Sequence, residues 1–287
     1  MTGEAIGWIG VGKMGGPMSR RLVEAQRKVT GLDPDAANRD AARAAGLEVA
    51  SSVVDLAAAV DIVVSTIPND AALRALAFGP DGLAARLKPG SVWIEMSTVS
   101  PAASAAVAAE LADRDIGYLR APVSGSTAMA AAGTLSVMAS GPRAVFDAVE
   151  PILSAFSAKR FYVGSDEQAR YLKLVVNTLV GATASLLAEA LALGRKGDLG
   201  LDVMLDVIGQ SAVASPLIGY KRDTILKGAY EPAFTVEQMI KDFDLIMDTA
   251  RHDHVPMFAA ALIRQQYEEA LARGEGQKDF FVLCDRP

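Results

Sequence analysis

Two residues four positions apart, Lys173 and Asn177, carry side chains suited to proton transfer and substrate binding. On a helix, this spacing puts both side chains on one face. Partial desolvation lowers the pKa of a lysine, which suits it to proton exchange, and a nearby amide can orient a substrate or the lysine. The same spacing also fits a solvated lysine on the polar face of an amphipathic helix, so the pattern alone leaves both interpretations open.

The segment Arg120–Ser126 follows a predicted strand and is rich in small residues. Consecutive backbone N–H groups around Gly125, together with the hydroxyls of Ser124 and Ser126, can hold a carboxylate. A structural loop explains the same composition equally well.

A glycine-rich turn follows the first predicted strand and opens a helix. Its pattern is G-x-G-x-x-G, in which the glycines allow a tight turn, backbone approach to a pyrophosphate and close packing of helix on strand. The helix N-terminus then directs N–H groups at the phosphates. These features predict a dinucleotide site whose residues are Gly10, Val11, Gly12, Lys13, Met14 and Gly15.

Asp33 ends the second predicted strand and favours NAD over NADP, because a carboxylate there accepts from ribose hydroxyls and repels a 2′-phosphate. Asp33 could instead only begin a turn, and Arg39 could still reach a phosphate. The carboxyl ends of later strands should also lie along the cofactor. Those positions are Ile67, Pro68, Asn69, Ser97 and Thr98.

Histidine and cysteine, which commonly bind metals, are rare in this chain. His252 and His254 are the two histidines, and no third ligand stands at metal spacing, so we expect surface residues and no metal site. The single cysteine, Cys284, has no neighbouring base in sequence and is interpreted as a packing residue.

Strands and helices alternate in the first half of the chain, which predicts a Rossmann-like, doubly wound parallel sheet. The predicted strands are Ala5–Ile9, Val29–Asp33, Asp61–Ile67, Val92–Met96, Ile116–Leu119 and Leu135–Ala139. The Ala-rich stretch Pro101–Ala112 is predicted to be a helix.

From Ser165 the pattern becomes helical. Ser165 and Gln168 resemble a capping box, and an apolar stripe continues to about Lys196. Further helices are predicted at Val203–Ile208, Thr235–Arg251 and Pro256–Arg273. The fold class is therefore α/β, with a nucleotide-binding domain (1–163) and an all-α domain for substrate binding and oligomerisation (164–287), joined by a long helix.

Composition excludes several classes of partner. The net charge is −6 without clusters of Lys or Arg, which argues against nucleic acid and anionic membranes. We expect no membrane-spanning segment, because no run approaches about 20 uninterrupted apolar residues. One cysteine suits a reducing compartment, so the expected location is the cytoplasm.

Together these motifs resemble the β-hydroxyacid dehydrogenases, the group of 3-hydroxyisobutyrate dehydrogenase and tartronate semialdehyde reductase. The resemblance covers nearly the whole chain and rests on four ordered motifs: Ile9–Gly15, Ala121–Gly125 followed by Gly133–Leu135, Lys173–Asn177 and Lys241–Phe243.

The resemblance implies hydride transfer between NAD, or less readily NADP, and a small 3-hydroxy acid or the matching semialdehyde. It implies that Lys173 is the general acid/base, that Asn177 and Ser124–Ser126 bind the substrate carboxylate, and that Lys241 lies near cofactor and substrate. It further implies no metal and a homodimer or homotetramer formed through the helical domain.

Three departures from the family pattern suggest a bulkier or more polar substrate than 3-hydroxyisobutyrate. Many members have Gly where this chain has Ser126, an acidic residue where it has Arg120, and small residues where it has Phe280 and Phe281.

Rival readings are an imine reductase of the same fold, a relative of 6-phosphogluconate dehydrogenase, and a non-catalytic nucleotide-binding scaffold. Lys173 argues against an imine reductase and against a non-catalytic scaffold. The modest length of the helical part argues against a relative of 6-phosphogluconate dehydrogenase.

Overall fold

The computed structural model describes residues 5–285, and the chain divides into two compact units between Lys173 and Leu174. The first unit is built on a sheet. Its strands within the described residues are β1 (Ile6–Ile9), β2 (Val29–Leu32), β3 (Glu48–Val49), β4 (Ile62–Ser65), β5 (Val92–Glu95), β6 (Gly117–Arg120), β7 (Val123–Ser124), β8 (Leu135–Ser140) and β9 (Ser157–Gly164).

The sheet has the order β3-β2-β1-β4-β5-β6-β8-β7, with β9 beside β8. Strands β1 to β6 pair in parallel, as predicted. β8 runs antiparallel to β6 and β7 and parallel to β9, which the sequence did not predict. The six predicted strands are all present, whereas the two-residue strands β3 and β7 and the charged strand β9 were missed.

The helices surround this sheet and then make up the second unit. They are α1 (Gly15–Glu24), α2 (Ala36–Ala44), α3 (Val53–Ala59), α4 (Asp70–Phe78), α5 (Leu83–Arg86), α6 (Pro101–Ala112), α7 (Thr127–Ala132), α8 (Arg143–Leu153), α9 (Gln168–Lys196), α10 (Leu201–Gln210), α11 (Pro216–Lys227), α12 (Val236–His252) and α13 (Phe258–Ala272). A short 3-10 helix, Phe280–Asp285, follows. The α6 prediction is confirmed, and the helices predicted after Lys196 are present as α10, α12 and α13, with α11 between them in the stretch that the sequence indicated to be helical.

Apolar side chains cover both faces of the sheet. Trp8 and Val64 belong to one buried cluster, whereas Val63 and Trp93 belong to another. Neighbouring residues of one strand point to opposite faces, so Val63 and Val64 in β4 enter different layers. A sheet buried on both faces needs such continuous apolar strands, which is why the sequence pattern identified them.

The start of α9 differs from the predicted capping box. The Gln168 side chain accepts from the Asp166 N–H at 2.7 Å, and the Ser165 hydroxyl donates to the Asp166 carboxylate. The N–H of Ala169 instead donates to the hydroxyl of Ser140, at the end of β8. The capping box was therefore wrong: Gln168 accepts from Asp166 and not from Ser165, the Ser165 hydroxyl donates to Asp166, and a distant strand caps the first turn through Ala169.

The first turn of α9 belongs to the sheet unit. The sequence places a domain boundary between residues 163 and 164, before this helix, whereas the compact units divide inside it. The helix ends at Lys196, as predicted.

α9 is long and apolar enough to span a membrane by length and composition, with a mean hydropathy of 1.6 over its most apolar window. The sequence analysis did not single out α9 as a candidate membrane span, because polar residues interrupt its apolar sequence. Core helices of proteins without a membrane segment pass the same criterion, and 44% of this window is buried.

The second unit buries its own apolar core. Residues from α9 to α13 and the C-terminal 3-10 helix form one cluster that includes Phe243, Tyr267, Phe280, Phe281 and Cys284. Cys284 is 1% exposed, which confirms its interpretation as a packing residue.

Candidate active site

The glycine-rich turn leaves β1 and enters α1. Gly10 has φ +87°, and a Cβ there would lie 2.0 Å from the carbonyl oxygen of Thr66. A Cβ on Gly15 would lie 1.9 Å from the carbonyl oxygen of Gly10. Both positions therefore require glycine for the turn and for packing helix on strand.

Gly12 is different from the other two glycines. A Cβ there would meet, among the described residues, the side chain of Asn38 at 3.3 Å. Protein packing does not explain glycine here, whereas close backbone approach of a pyrophosphate does. The start of α1 at Met14 has no side-chain cap, which suits phosphate binding. These features fit a dinucleotide.

Hydrogen bonds hold the loops at the carboxyl ends of β1, β4 and β5 together. Thr66 accepts from Trp8 Nε1 at 3.1 Å and donates to the Gly10 carbonyl at 2.5 Å. The N–H of Ile67 donates to the Ser97 hydroxyl at 2.7 Å. The loops that carry Ile67, Pro68, Asn69 and Thr98 thus lie at one edge of the sheet, beside the glycine turn.

The carboxamide oxygen of Asn69 has a structural role. It accepts from the Ala72 N–H at 2.9 Å and caps α4. Pro68 is exposed and Thr98 is half-buried.

The carboxylate of Asp33 is buried and fixed at the end of β2. Its Oδ1 accepts from the Asp35 N–H at 2.9 Å and from Asn38 Nδ2 at 3.2 Å. Arg39 donates to the backbone carbonyls of Asp33 and Pro34, which holds its guanidinium against the turn. An open cleft of about 650 Å³ beside them is lined by Asp33, Arg39, Arg43, Ser51, Ser52 and neighbouring apolar residues.

The predicted carboxylate-binding segment contains β7 and the start of α7. Ser124 lies in β7, and Ser126 is the N-cap of α7, where its hydroxyl accepts from the Met129 N–H. Gly125 has φ +138°, and a Cβ there would lie 2.6 Å from Leu135, so no larger residue fits without rearrangement.

Lys173 reaches this segment from α9. Its Nζ donates to the carbonyl oxygen of Val123 at 2.8 Å, and the side chain is half-buried. Ser124 directly follows Val123, so the amine and the predicted carboxylate-binding segment are neighbours. A fully solvated lysine is excluded by this contact.

Asn177 follows one turn later on α9 and is buried in the helical unit. Its Nδ2 donates to Asp242 Oδ2 at 2.5 Å, and Asp242 Oδ1 lies 2.9 Å from Lys241 Nζ. Asp242 is completely buried. An amide has two N–H groups, so this bond occupies one of them. The sequence identified Asn177 and Lys241 but missed Asp242, although it belongs to the Lys241–Phe243 motif.

His252 and His254 are exposed, which confirms that they are surface residues. Among residues 5–285, no group of three His, Cys, Asp or Glu side chains is arranged to hold a metal ion.

Comparison with known proteins supports one family over both units. Residues 5–164 match the family model of the NAD-binding domain of 6-phosphogluconate dehydrogenase, and residues 168–285 match the NAD-binding family of NADP-dependent 3-hydroxyisobutyrate dehydrogenase. The chain is 34% identical over 279 residues to 2-(hydroxymethyl)glutarate dehydrogenase of Eubacterium barkeri, covering 97% of this chain and 93% of that protein.

A second relative is the L-threonate dehydrogenase of Cupriavidus necator, 34% identical over 277 residues, with 96% of this chain and 93% of that protein covered. The crystal structure of 3-hydroxyisobutyrate dehydrogenase from Salmonella typhimurium superposes with a TM-score of 0.89 at 30% identity, over 99% of each chain. The chain belongs to the β-hydroxyacid dehydrogenase family. It is an oxidoreductase that transfers a hydride between a nicotinamide dinucleotide and a small hydroxy acid.

The three departures from the β-hydroxyacid dehydrogenase pattern have structural roles in this chain. Arg120 is buried and forms an ion pair with Glu167. Ser126 caps α7, and Phe280 and Phe281 are buried in the helical core. Arg120, Phe280 and Phe281 therefore give no support to a bulkier or more polar substrate than 3-hydroxyisobutyrate, and for Ser126 that expectation stays a prediction.

Proposed function

We propose that this β-hydroxyacid dehydrogenase oxidises a small 3-hydroxy acid with NAD, or reduces the matching semialdehyde with NADH, and that Lys173 is its general acid/base. The observation that carries this proposal is the 2.8 Å bond from Lys173 Nζ to the Val123 carbonyl. It holds an amine beside a segment whose hydroxyls and N–H groups suit a carboxylate.

The chemistry requires one proton acceptor and one hydride acceptor. When bound, the nicotinamide ring accepts the hydride at C4. In the oxidative direction, neutral Lys173 takes the hydroxyl proton while the hydride leaves the same carbon, and a carbonyl forms. In the reductive direction, the Lys173 ammonium returns the proton to the developing alkoxide.

Carboxylate binding is assigned to Ser124, Gly125, Ser126 and Asn177. The Ser124 hydroxyl and the backbone N–H groups around Gly125 supply donors close to Lys173. The side-chain amide of Asn177 carries two N–H groups. One donates to Asp242, and the other is assigned to the substrate carboxylate. Asp242 then orients this amide, because one Nδ2 hydrogen is directed at its carboxylate.

Cofactor binding is assigned to Gly10–Gly15, Asp33, Ile67–Asn69, Thr98 and Lys241, with NAD preferred. The support for NAD is the carboxylate of Asp33, which two hydrogen bonds hold rigidly at the end of β2. A fixed anion there favours ribose hydroxyls over a 2′-phosphate. Arg39 and Arg43 in the adjoining cleft are the groups through which NADP could compete.

Self-association is proposed through the helical unit. Four apolar side chains recur at helical spacing on α9 and are exposed: Val175 56%, Leu179 64%, Leu186 62% and Leu193 76%. An apolar stripe of this length on a protein surface is typical of an interface. We propose a homodimer or homotetramer formed on this stripe, acting on small molecules in the cytoplasm, whose reducing environment suits the buried Cys284.

The testing experiment follows NADH formation with a panel of acids. The panel contains 3-hydroxyisobutyrate, 3-hydroxypropionate, L-serine, glycerate, L-threonate, 2-(hydroxymethyl)glutarate and phenylserine, each with NAD and with NADP. We expect turnover of a small acid and faster turnover with NAD than with NADP. No turnover of any acid with either cofactor, or of the semialdehydes in reverse, would contradict the proposal and favour an imine reductase or a binding role.

A further inference from the structure

Arg170 is one of the largest completely buried side chains of the sheet unit, with 1% exposure. Burial of a guanidinium is costly unless each N–H finds a partner and the charge is balanced. Arg170 lies in the first turn of α9, three residues before Lys173.

The partners of Arg170 come from three elements that are distant in sequence. Nε donates to Ser104 Oγ at 3.1 Å, Nη1 to the Ser97 carbonyl at 2.9 Å, and Nη2 to Tyr118 Oη at 3.3 Å. Nη2 also lies 2.5 Å from Glu95 Oε2. One planar group thus joins α9 to α6, to the end of β5 and to β6.

Two further contacts secure the same turn. Arg120, at the end of β6, donates to Glu167 through Nε at 2.8 Å. Ser140, at the end of β8, accepts from the Ala169 N–H at 3.1 Å. Together with Arg170, these contacts leave the first turn of α9 little freedom to rotate or slide on the sheet.

The contacts of Arg170 also reach the predicted cofactor loops. Ser97, whose carbonyl accepts from Arg170, accepts the Ile67 N–H through its hydroxyl. Glu95 accepts the Ser97 N–H at 3.0 Å. The loops after β4 and β5 and the helix that carries Lys173 are therefore held to one another by this guanidinium.

A buried ion pair is weak evidence for stability, because apolar replacements of similar volume are often neutral or stabilising. A role in fixing geometry explains the arrangement better. A misplacement of about 1 Å at a reacting group can cost about a hundredfold in rate.

We propose that Arg170 is a positioning residue for Lys173, whose buried guanidinium, paired with Glu95, sets the place of the Lys173 amine relative to the Val123–Ser126 segment and the loops after β4 and β5. This inference rests on the proposed acid/base role of Lys173. Arg170 itself touches neither substrate nor cofactor in this assignment.

The test separates positioning from stability with two variants. Glu95→Gln/Arg170→Met removes both charges together and keeps the acceptor for the Ser97 N–H, so no unpaired charge stays buried. Arg170→Lys keeps the charge but loses the planar fork of donors. Arg160→Met is the matched control, because the Arg160 side chain also forms an ion pair, with Glu150 of α8, and donates to the Ser157 carbonyl of β9, away from Lys173 and the loops after β4 and β5.

For each variant, kcat, KM and thermal midpoint are measured on the best acid of the panel. The hydride isotope effect is measured in reverse with NADH deuterated at C4. We expect kcat to fall about tenfold to a hundredfold in the double variant and less in Arg170→Lys. KM should change little, and the isotope effect should increase as hydride transfer becomes limiting. Arg160→Met should retain the kcat and isotope effect of the natural chain.

Three results would overturn the inference. In the first, both Arg170 variants fold and match Arg160→Met in kcat and isotope effect. In the second, kcat falls only in proportion to the folded fraction. In the third, the natural chain turns over no hydroxy acid, or Lys173→Ala turns over the acid as fast as the natural chain. This third result overturns both the proposed function and this inference. The first two results overturn only this inference and leave the proposed function intact.

Discussion

The Nζ of Lys173 donates a 2.8 Å hydrogen bond to the carbonyl oxygen of Val123. This bond joins two motifs that lie 50 residues apart in the sequence. Val123 begins the short strand β7, so the lysine is directed at the segment where Ser124 and Gly125 present hydroxyl and backbone donors. Lys173, the proposed acid/base, and the Ser124–Ser126 part of the proposed carboxylate-binding group therefore belong to the same compact unit.

Replacing Lys173 by alanine should remove most turnover. General acid–base groups contribute about 10²- to 10⁴-fold to rates, and we expect kcat/KM to fall within this range. NAD binding should be retained, because the glycine turn and Asp33 do not depend on the lysine; fluorescence titration with NADH measures this. Lys196→Ala, at the exposed end of the same helix, is the control, and full activity in Lys173→Ala would assign the proton to another group.

Substitutions of two glycines in the turn should affect NAD binding and protein stability separately. Gly12→Ala should weaken NAD binding with little loss of stability, because the added Cβ meets only Asn38 among the described residues. Gly10→Ala should destabilise the fold, because its Cβ would collide with the Thr66 carbonyl. Calorimetric titration with NAD and urea unfolding of both variants check this, and unchanged NAD affinity in Gly12→Ala would argue against pyrophosphate at this position.

Asp33→Ser should relax the preference for NAD. Removing the fixed carboxylate takes away the acceptor for ribose hydroxyls and the repulsion of a 2′-phosphate. We expect the ratio of kcat/KM for NAD to that for NADP to fall at least about tenfold, or ~1.4 kcal/mol. Asp35→Ser, at the exposed cap of α2, serves as the control. A natural chain that already prefers NADP would contradict the assignment.

Charges on the apolar stripe of α9 should dissociate the proposed oligomer. Leu186→Asp/Leu193→Asp places two carboxylates where an apolar interface is proposed, and such desolvated charges oppose association. Size-exclusion chromatography with light scattering should show a smaller mass than for the natural chain. Ala158→Asp, an exposed position on β9, should retain the natural mass. A monomeric natural chain would refute the interface.

Tyr118 should make stability depend on alkaline pH. Burial raises the pKa of Tyr118 from 10.0 to about 12, and the charge of Glu95 acts in the same direction, whereas Arg170 opposes it. Since the folded pKa is raised, the folded state holds this proton more tightly than the unfolded state. The stabilising contribution, roughly 3 kcal/mol, is complete below pH 10 and is lost as the pH rises toward 12.

Urea unfolding of the natural chain and of Tyr118→Phe between pH 8 and pH 11 measures this contribution, since phenylalanine keeps the ring and lacks the proton. The difference in unfolding free energy between the two should shrink above pH 10. A constant difference over this range would show that Tyr118 does not carry the dependence.

Much of the fold was readable from local patterns. The apolar runs of β1, β4 and β5 are buried on both faces, so their composition alone marks them as strands. Gly10 and Gly15 are demanded by the turn itself, which explains why the motif was visible. Strand β7 was missed because it has two residues, and strand β9 because the adjacent cations Lys159 and Arg160 interrupt its apolar pattern.

The residues of the candidate site were predicted one motif at a time, without the contacts between them. The types and spacing of Lys173, Asn177 and the Ser124–Ser126 segment were enough to single them out, together with the family resemblance. The hydrogen-bond partners of Lys173 and Asn177 were not identified, because nothing in the local sequence marks Val123 or Asp242 as such until the fold brings them close.

The sequence by itself determined where most strands and helices lie along the chain, the glycine turn and the identity of the chemical groups, because short-range periodicity and turn geometry depend on neighbouring residues. Only the tertiary structure decided that Arg170 meets Ser97 across 73 positions, that Asn177 meets Asp242 across 65, and that Phe280 and Phe281 are buried. Such pairings depend on which strand lies beside which and on how helices pack. They are set by the summed burial of the whole chain, which no single window of sequence contains.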